Sequence, residues 1–217
     1  MSGIEKLLAP LDVRGAHLPN RVVMAPMTRY ASPGGVPTDE VASYYARRAA
    51  SGIGLIVTEG VGIAHPAAVD HPGVPHMHGD AALAGWRKVV DAVHAAGGRI
   101  WPQLWHQGPM WRVEYGDGEA GEAMRPSGVW GPADGMISIP VAARESALAG
   151  TREMSDSDIQ DVIDGYAASA RHVKALGFDG VAIHGAHGYL IDTFLWGYTN
   201  RRPDKWGGDP RGRAEFG

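Results

Sequence analysis

The chain contains no cysteine. That absence excludes disulfides, a thiolate nucleophile and any cysteine-ligated zinc site. Nor is there a block of lysine and arginine: 20 basic residues stand against 24 acidic ones, for a formal net charge of -4. Mild acidity without a basic patch argues against nucleic acid or an anionic membrane as the main partner. No stretch of about 18 apolar residues is present, and the first residues form no signal-like apolar run. A cytoplasmic location with no membrane attachment is therefore expected. Glycine and proline, by contrast, are plentiful, at 31 and 15 of 217 residues, which foretells tight turns and long, shaped loops. At 44% hydrophobic residues, the chain has enough apolar side chain for one sizeable core.

Short apolar segments alternate with helical patterns. Arg21–Met27 reads as a first strand ending at a proline-containing turn, and Gly54–Gly60 as a β-branched second strand bounded by glycine. Thr38 is placed to cap a helix over Glu40–Ala50. A second helix opens at Asp80, carries Leu83, Trp86, Val90 and Val93 on one face, and stops at Gly97-Gly98. Arg99–Trp105 is a third strand, with Pro102 unusual for a central position. Ser155 and Asp158 make a capping-box-like start for a helix bearing Ile159, Val162, Ile163, Tyr166, Val173 and Leu176, which ends at Gly177. Gly180–Ile183 is the fourth strand.

Almost wholly apolar strands alternating with helices imply a parallel sheet covered by helices. A dinucleotide-binding doubly wound sheet would carry Gly-x-Gly-x-x-Gly after its first strand, and none occurs there. The expected strand ends are Pro26-Met27-Thr28, Glu59-Gly60, Gln103-Leu104-Trp105 and His184-Gly185-Ala186-His187. All are rich in polar or aromatic groups, whereas the strand starts are plain. Chemistry gathered at C-terminal strand ends marks a (β/α)8 TIM barrel. An α/β fold of that kind is expected, with four of its strands present.

The densest chemistry lies in Gly180-Val-Ala-Ile-His184-Gly-Ala-His187-Gly-Tyr189-Leu. A single histidine after a strand is usually a satisfied structural group. Two histidines and a tyrosine within the six residues 184–189 at a strand end point to a site instead. Paired imidazoles are also metal ligands, but no acidic residue or third histidine within Gly180–Leu190 completes a set. Taken singly, Thr28 reads as a turn cap, Gln103 as a partner for loop backbone and Trp105 as core. Glu59 reads as structural, and Tyr44 and Tyr45 as helix packing.

Together, Val23-Met-Ala-Pro-Met-Thr-Arg, Val57-Thr-Glu-Gly, Pro102-Gln-Leu-Trp-His, His184-Gly-Ala-His-Gly-Tyr-Leu-Ile-Asp and Asn200-Arg-Arg-Pro-Asp-Lys-Trp-Gly-Gly resemble the Old Yellow Enzyme family. These are FMN-dependent ene-reductases, and they include the plant oxophytodienoate reductases. The motifs follow family order from about Leu8 to Phe216. The resemblance implies a barrel of the flavin oxidoreductase type, FMN as cofactor, and NADPH or NADH as reductant. The implied substrate is a small electron-poor alkene. Pro26 and Met27 would lie along the flavin, the Thr28 hydroxyl would bond the isoalloxazine carbonyl, and Gly60 would let its backbone approach. Gln103 would bond the pyrimidine edge, and His184 is counted among the flavin contacts as well. His184 and His187 would grip the carbonyl or nitro oxygen of the alkene, Tyr189 would protonate the carbon, and Trp105 would shape the substrate pocket. No metal is implied. Thr28 and the His/His pair resemble the threonine-bearing, oxophytodienoate-reductase-like members.

Set against the family pattern, the chain stops early, after four of eight strands, with a capped helical turn at Asp209–Gly217. The family's later strands supply an arginine near the flavin and phosphate-holding loops, and no residue here fills either role. The whole chain is thus expected to be the N-terminal part of one barrel domain, with an active-site cap at about 106–154 and a hairpin over Val129–Val141. Two further readings stand beside it: an inactive half-barrel working through self-association or a partner, and a metal-dependent barrel enzyme. Strand residues Val22, Met24, Leu55, Val57 and Ile183 are expected to be partly exposed, making association the route by which the edges are covered.

Overall fold

The computed structural model describes residues 3–111, 122–132, 148 and 150–217. The chain divides into two compact units.

The first unit comprises Met1–Ala64, Pro72–Leu104 and Ala167–Ile183. A short helix α1 (Gly3–Leu8) precedes an antiparallel hairpin of β1 (Leu11–Val13) and β2 (Ala16–Leu18), in which Leu11 faces Leu18. Next come β3 (Val23–Met24), α2 (Asp39–Ala50), β4 (Leu55–Gly62), α3 (Asp80–Ala95) and β5 (Ile100–Trp105). The C-terminal half of α4 (Asp156–Leu176) and then β6 (Ala182–Ile183) complete it. The sheet runs β3-β4-β5-β6 in chain order. Val23 lies opposite Leu55 and Gln103 opposite Ala182, both in parallel register. Consecutive parallel strands need a crossover long enough for a helix, and α2, α3 and α4 occupy those crossovers.

The elements follow from their residues. Thr38 Oγ1 accepts the Val41 N–H at 3.4 Å, capping α2. Asp39 and Glu40 in its first turn and Arg47 and Arg48 in its last match the helix dipole. At Gly85 of α3 a Cβ would lie 2.5 Å from the Pro37 carbonyl oxygen, so only glycine lets this helix approach the chain entering α2. Ile56, Val61, Ile63, Trp86, Val89, Val93 and Ile100 are wholly buried. Each such side chain contributes about 1.5–3 kcal/mol through burial. The Trp86 indole donates to the His76 carbonyl at 3.0 Å and meets Phe178 edge-on at 5.7 Å.

Two outer strands are shorter than the sequence suggests. Strand β3 is confined to Val23–Met24: the Val22 carbonyl still takes the Leu55 N–H at 3.2 Å, but the Arg21 N–H before it turns to the Leu7 carbonyl at 2.8 Å, and Pro26 has no N–H to give. Ahead of β6, Asp179 meets Ile100 twice: its N–H donates to the Ile100 carbonyl at 3.2 Å and its carboxylate takes the Ile100 N–H at 2.9 Å, so a side chain supplies one of the two bonds there. The outermost residues are open, with Val23 50% and Ile183 56% exposed. Leu55 departs from expectation: at 5% exposure it is buried, because β4 is an inner strand packed under α2.

The second unit comprises His65–His71, Trp105–Tyr166 and His184–Gly217. The start of α4 is a reciprocal box: Ser155 N–H donates to Asp158 Oδ2 at 2.7 Å, and Asp158 N–H to Ser155 Oγ at 3.2 Å. Arg152, then Ser155, hold the Asp158 carboxyl well below its usual range. Helix α5 (Leu190–Leu195) and the final turn α6 (Pro210–Arg213), capped by Asp209, follow. Between them the Asn200–Gly208 stretch turns inward. Asn200 Nδ2 donates to the Phe194 and Trp206 carbonyls, both at 2.8 Å, and the Trp206 indole to Asp156 at 2.8 Å. Arg202 is buried, with its guanidinium on Asp204 and the Pro126 carbonyl. The hairpin expected over 129–141 runs into residues 133–141, which lie outside the described residues. Among the described residues, no helix is long and apolar enough to cross a membrane.

Candidate active site

The second unit gathers Trp105, His184, His187 and Tyr189 into one aromatic cluster. The Tyr189 ring stands edge-on to Trp105 at 4.9 Å and to His184 at 4.8 Å, and the His184 ring lies nearly parallel to Trp105 at 6.1 Å. Trp105 is buried and its indole nitrogen has no hydrogen-bond partner. His184 and Tyr189 are half-buried, and His187 is exposed.

The backbone between them is unusual. His187 has φ +62° and Gly188 φ +74°, a left-handed pair that reverses the chain within one turn. A side chain at 188 would also be crowded, since its Cβ would lie 3.0 Å from the Trp130 indole nitrogen. That indole donates to the Gly188 carbonyl at 3.1 Å, and Asp192 Oδ2 takes the Gly188 N–H at 2.7 Å. Both groups fix the turn that presents His187 and Tyr189. Neither role was legible in the sequence, because Trp130 is 58 residues away and Asp192 reads as an ordinary first-turn acid.

Hydrogen bonding sets the tautomers. The Ala186 N–H donates to His184 Nδ1 at 3.3 Å, so the proton of a neutral His184 sits on Nε2. That atom faces His187 Nδ1 at 3.3 Å. His184 therefore donates to His187, and a neutral His187 carries its own proton outward on Nε2. Burial, then the neighbouring His187, lowers the His184 pKa from the ordinary histidine value. With His184 disfavoured as a cation, the two rings offer N–H donors suited to an oxygen on which charge develops. Among the described residues, no group of three or more metal-ligating side chains is placed to hold a metal ion.

A second histidine pair lies deeper in the same unit. His106 is fully buried, its Nε2 3.1 Å from His65 Nδ1 and its Nδ1 accepting the Gly108 N–H at 3.0 Å. Burial, then His65, pushes its pKa well below the ordinary value. This pair is structural; its backbone carbonyl receives the Leu190 N–H that begins α5.

Pro26, Met27, Thr28, Gly60 and Gln103 fall in the first unit. Met27 is 53% exposed and Thr28 is exposed, while Gln103 is half-buried and Gly60 buried. Cross-links tie these strand ends together: the Arg29 N–H donates to Glu59 Oε2 at 2.9 Å, and the Gln103 N–H to Thr58 Oγ1 at 3.3 Å. The Glu59 N–H in turn donates to the Tyr45 hydroxyl at 3.0 Å. Glu59 is 1% exposed, and burial pushes its carboxyl up to about 7.

The NADH:flavin oxidoreductase / NADH oxidase family model matches residues 6–217. Chanoclavine-I aldehyde reductase fgaOx3 of Penicillium roqueforti is 39% identical over 212 residues, 97% of this chain and 54% of that protein. The 12-oxophytodienoate reductase 7 of Oryza sativa subsp. japonica is 37% identical over 97% of this chain and 52% of its own length. Among solved structures, an old yellow enzyme homologue from Zymomonas mobilis superposes with a TM-score of 0.83 at 35% identity, over 97% of this chain and 57% of that one. The chain spans about half the length of the curated relatives it matches.

Proposed function

Since this chain belongs to the NADH:flavin oxidoreductase / NADH oxidase family, we propose that it is the part of a cytosolic FMN-dependent ene-reductase that grips and protonates a small electron-poor alkene. FMN, when bound, supplies the hydride chemistry, recharged by NADH or NADPH. The first unit offers a donor set that fits it: the exposed Thr28 hydroxyl and the Gln103 carboxamide for its polar edge, the Gly60 backbone for close approach, and Pro26 and exposed Met27 for its apolar surface. His184 is assigned to both flavin and substrate. We assign the segment 106–154, of which residues 112–121, 133–147 and 149 lie outside the described residues, as the active-site cap.

The observation that carries this reading is the hydrogen-bonded His184–His187 pair beside Tyr189. As the alkene is reduced, negative charge grows on its activating oxygen. That oxygen takes the His184 Nε2–H from His187 Nδ1 and receives the outward His187 Nε2–H. Removing one such donor from a known hydrolase costs roughly 2.7–4 kcal/mol of transition-state stabilisation. The Tyr189 hydroxyl delivers the proton to the carbon next to the activating group. An acid so placed contributes on the order of 10²–10⁴-fold. Trp105, buried against Tyr189 and His184, holds both rings in position.

The test is an FMN titration of the purified chain followed by enone reduction with NADH and NADPH in turn. Saturable flavin uptake with alkene turnover supports the reading; bound zinc in place of flavin overturns it. A second reading, an inactive half-barrel acting through a second copy, is favoured by the exposed Val23 and Ile183 of the outer strands. It calls for a dimer in solution that takes up no flavin.

A further inference from the structure

Within the first unit, a cavity of about 200 Å³ lies between α2 and the segment after β3, lined by Arg29, Glu40, Val41, Tyr44, Arg47 and Glu59. We propose that this cavity binds a small carboxylate monoanion.

Two buried polar atoms of its lining residues lack partners. Glu59 Oε2 accepts the Arg29 N–H, but Oε1 has no hydrogen-bond partner, and neither has Arg29 Nη1. Leaving buried groups of this kind without a partner is costly, and such orphans ask for an occupant. The Arg29 guanidinium is also fixed before any ligand arrives. It lies 3.4 Å from the centre of the Tyr44 ring, and the Arg48 guanidinium lies 3.3 Å from the same centre. Two groups that close can only occupy opposite faces, so Tyr44 is clamped and Arg29 with it. A fixed donor loses little entropy on binding.

The donor set selects the ligand. Glu59 takes up a proton readily, since burial pushes its carboxyl up to about 7. With Oε2 taking the Arg29 N–H, a proton on Oε1 would turn the orphan oxygen into a donor. Protonated Glu59, Arg29 and Arg47 then all present hydrogens, and a carboxylate with two acceptor oxygens answers them. Among the lining residues Glu40 offsets one of the two guanidiniums, while Arg48 stands behind the Tyr44 ring and does not line the cavity; the single excess positive charge at the wall suits a monoanion and disfavours a dianion. The other titratable neighbour, Tyr45, is held with its hydroxyl on the Glu59 N–H and its pKa pushed above the usual range, chiefly by burial. The cavity is far larger than the roughly 30 Å³ share of one water, yet below the roughly 300–1,000 Å³ of a drug-sized site. Val41 supplies an apolar wall. A carboxylate of about two to four carbons fits these limits.

Calorimetric titration of the full chain with sodium acetate, sodium butyrate and inorganic phosphate, at constant ionic strength, tests this. Acetate and butyrate are expected to bind saturably at one site, more tightly than phosphate, with affinity falling about tenfold per pH unit above 7 as Glu59 ionises. At pH 8, titrations in two buffers of different ionisation enthalpy should show proton uptake. Glu59→Gln should keep binding and lose the pH slope, because the amide remains a donor that cannot ionise. Arg47→Gln, at an exposed helix position, should weaken binding at least tenfold without disturbing the fold. The proposal is overturned by any of three results: no saturable heat from a chain with intact helical circular dichroism, which means a cavity holding water only; phosphate binding as tightly as acetate; or an unchanged pH slope in Glu59→Gln.

Discussion

His184 and His187 are each other's partner: Nε2 of the first lies 3.3 Å from Nδ1 of the second. On the proposed reading a ligand oxygen would not meet two idle donors: it would displace His187 Nδ1 as the acceptor for His184, and the strength of its grip would depend on both rings. In the FMN-loaded protein, His184→Ala and His187→Ala should each weaken phenol-type ligands and lower alkene turnover by roughly 10²–10³-fold. Phenol titrations and steady-state rates check this. Unchanged phenol affinity in both variants would remove the pair from substrate binding.

Tyr189 sits 4.8 Å from His184, ring centre to ring centre. Tyr189→Phe keeps the ring contacts and deletes the hydroxyl. Flavin uptake and reduction by a nicotinamide should persist, since neither needs a substrate proton. Enone turnover should fall by about 10²–10⁴-fold, and nitro or quinone substrates should suffer less. Equal losses for all three substrate types would point to general damage, and no loss would exonerate the tyrosine.

The turn itself has a measurable requirement. Gly188→Ala places a Cβ 3.0 Å from the Trp130 indole nitrogen at φ +74°. A non-glycine residue in such a conformation costs on the order of 1–3 kcal/mol. The melting temperature should drop accordingly, and Trp130→Phe, which removes the donor to the Gly188 carbonyl, should lower it through the same turn. A variant as stable as the parent would mean that the segment relaxes freely.

Acid and base act on this fold in opposite senses. His65, His78, His106 and His184 all have pKa values lowered from 6.5, in each case chiefly by burial. The unfolded chain then binds more protons, so their contribution is present above pH 6.5 and lost as the pH falls below it. Glu59 is raised from 4.5 to about 7. Its contribution is complete below pH 4.5 and lost as the pH rises through 7. Glu59→Gln cancels only the second effect. Relative to the parent, this variant should gain stability between pH 5 and pH 8, by on the order of 1–3 kcal/mol. Denaturant titrations of both proteins at the two pH values give the double difference. A difference of zero would mean that Glu59 is ionised throughout.

The four strands and three long helices could be read from apolar runs and glycine stops, because both are local. The family likeness and the α/β fold of the flavin oxidoreductase barrel, here with four strands, are borne out by the family match and the solved structures. Strand lengths were less legible. The Arg21 N–H goes to Leu7 instead of the β3 ladder, and the Asp179 carboxylate takes the Ile100 N–H beside the backbone bond before β6; both depend on partners distant in the chain. The hairpin of Leu11–Val13 and Ala16–Leu18 has a faint signal, Arg14-Gly15, whose φ values of +47° and +90° make a two-residue turn. Tyr44 and Tyr45 illustrate the remaining gap. Tyr45 is a buried packing residue, as its helix position suggests, but also a partner for the Glu59 N–H. Tyr44 is held between arginines from two segments, which no helical pattern foretells.

The open strands at either side of the sheet, β3 and β6, are each only two residues long. Amyloid growth needs about six or seven residues of uninterrupted strand to template the next layer, and edges this short are one of the ways proteins suppress such templating. The exposed Val23 and Ile183 can still drive sticking through their side chains. Crowded solutions of this chain should therefore cloud with amorphous, thioflavin-negative material that redissolves on dilution, rather than seed fibrils.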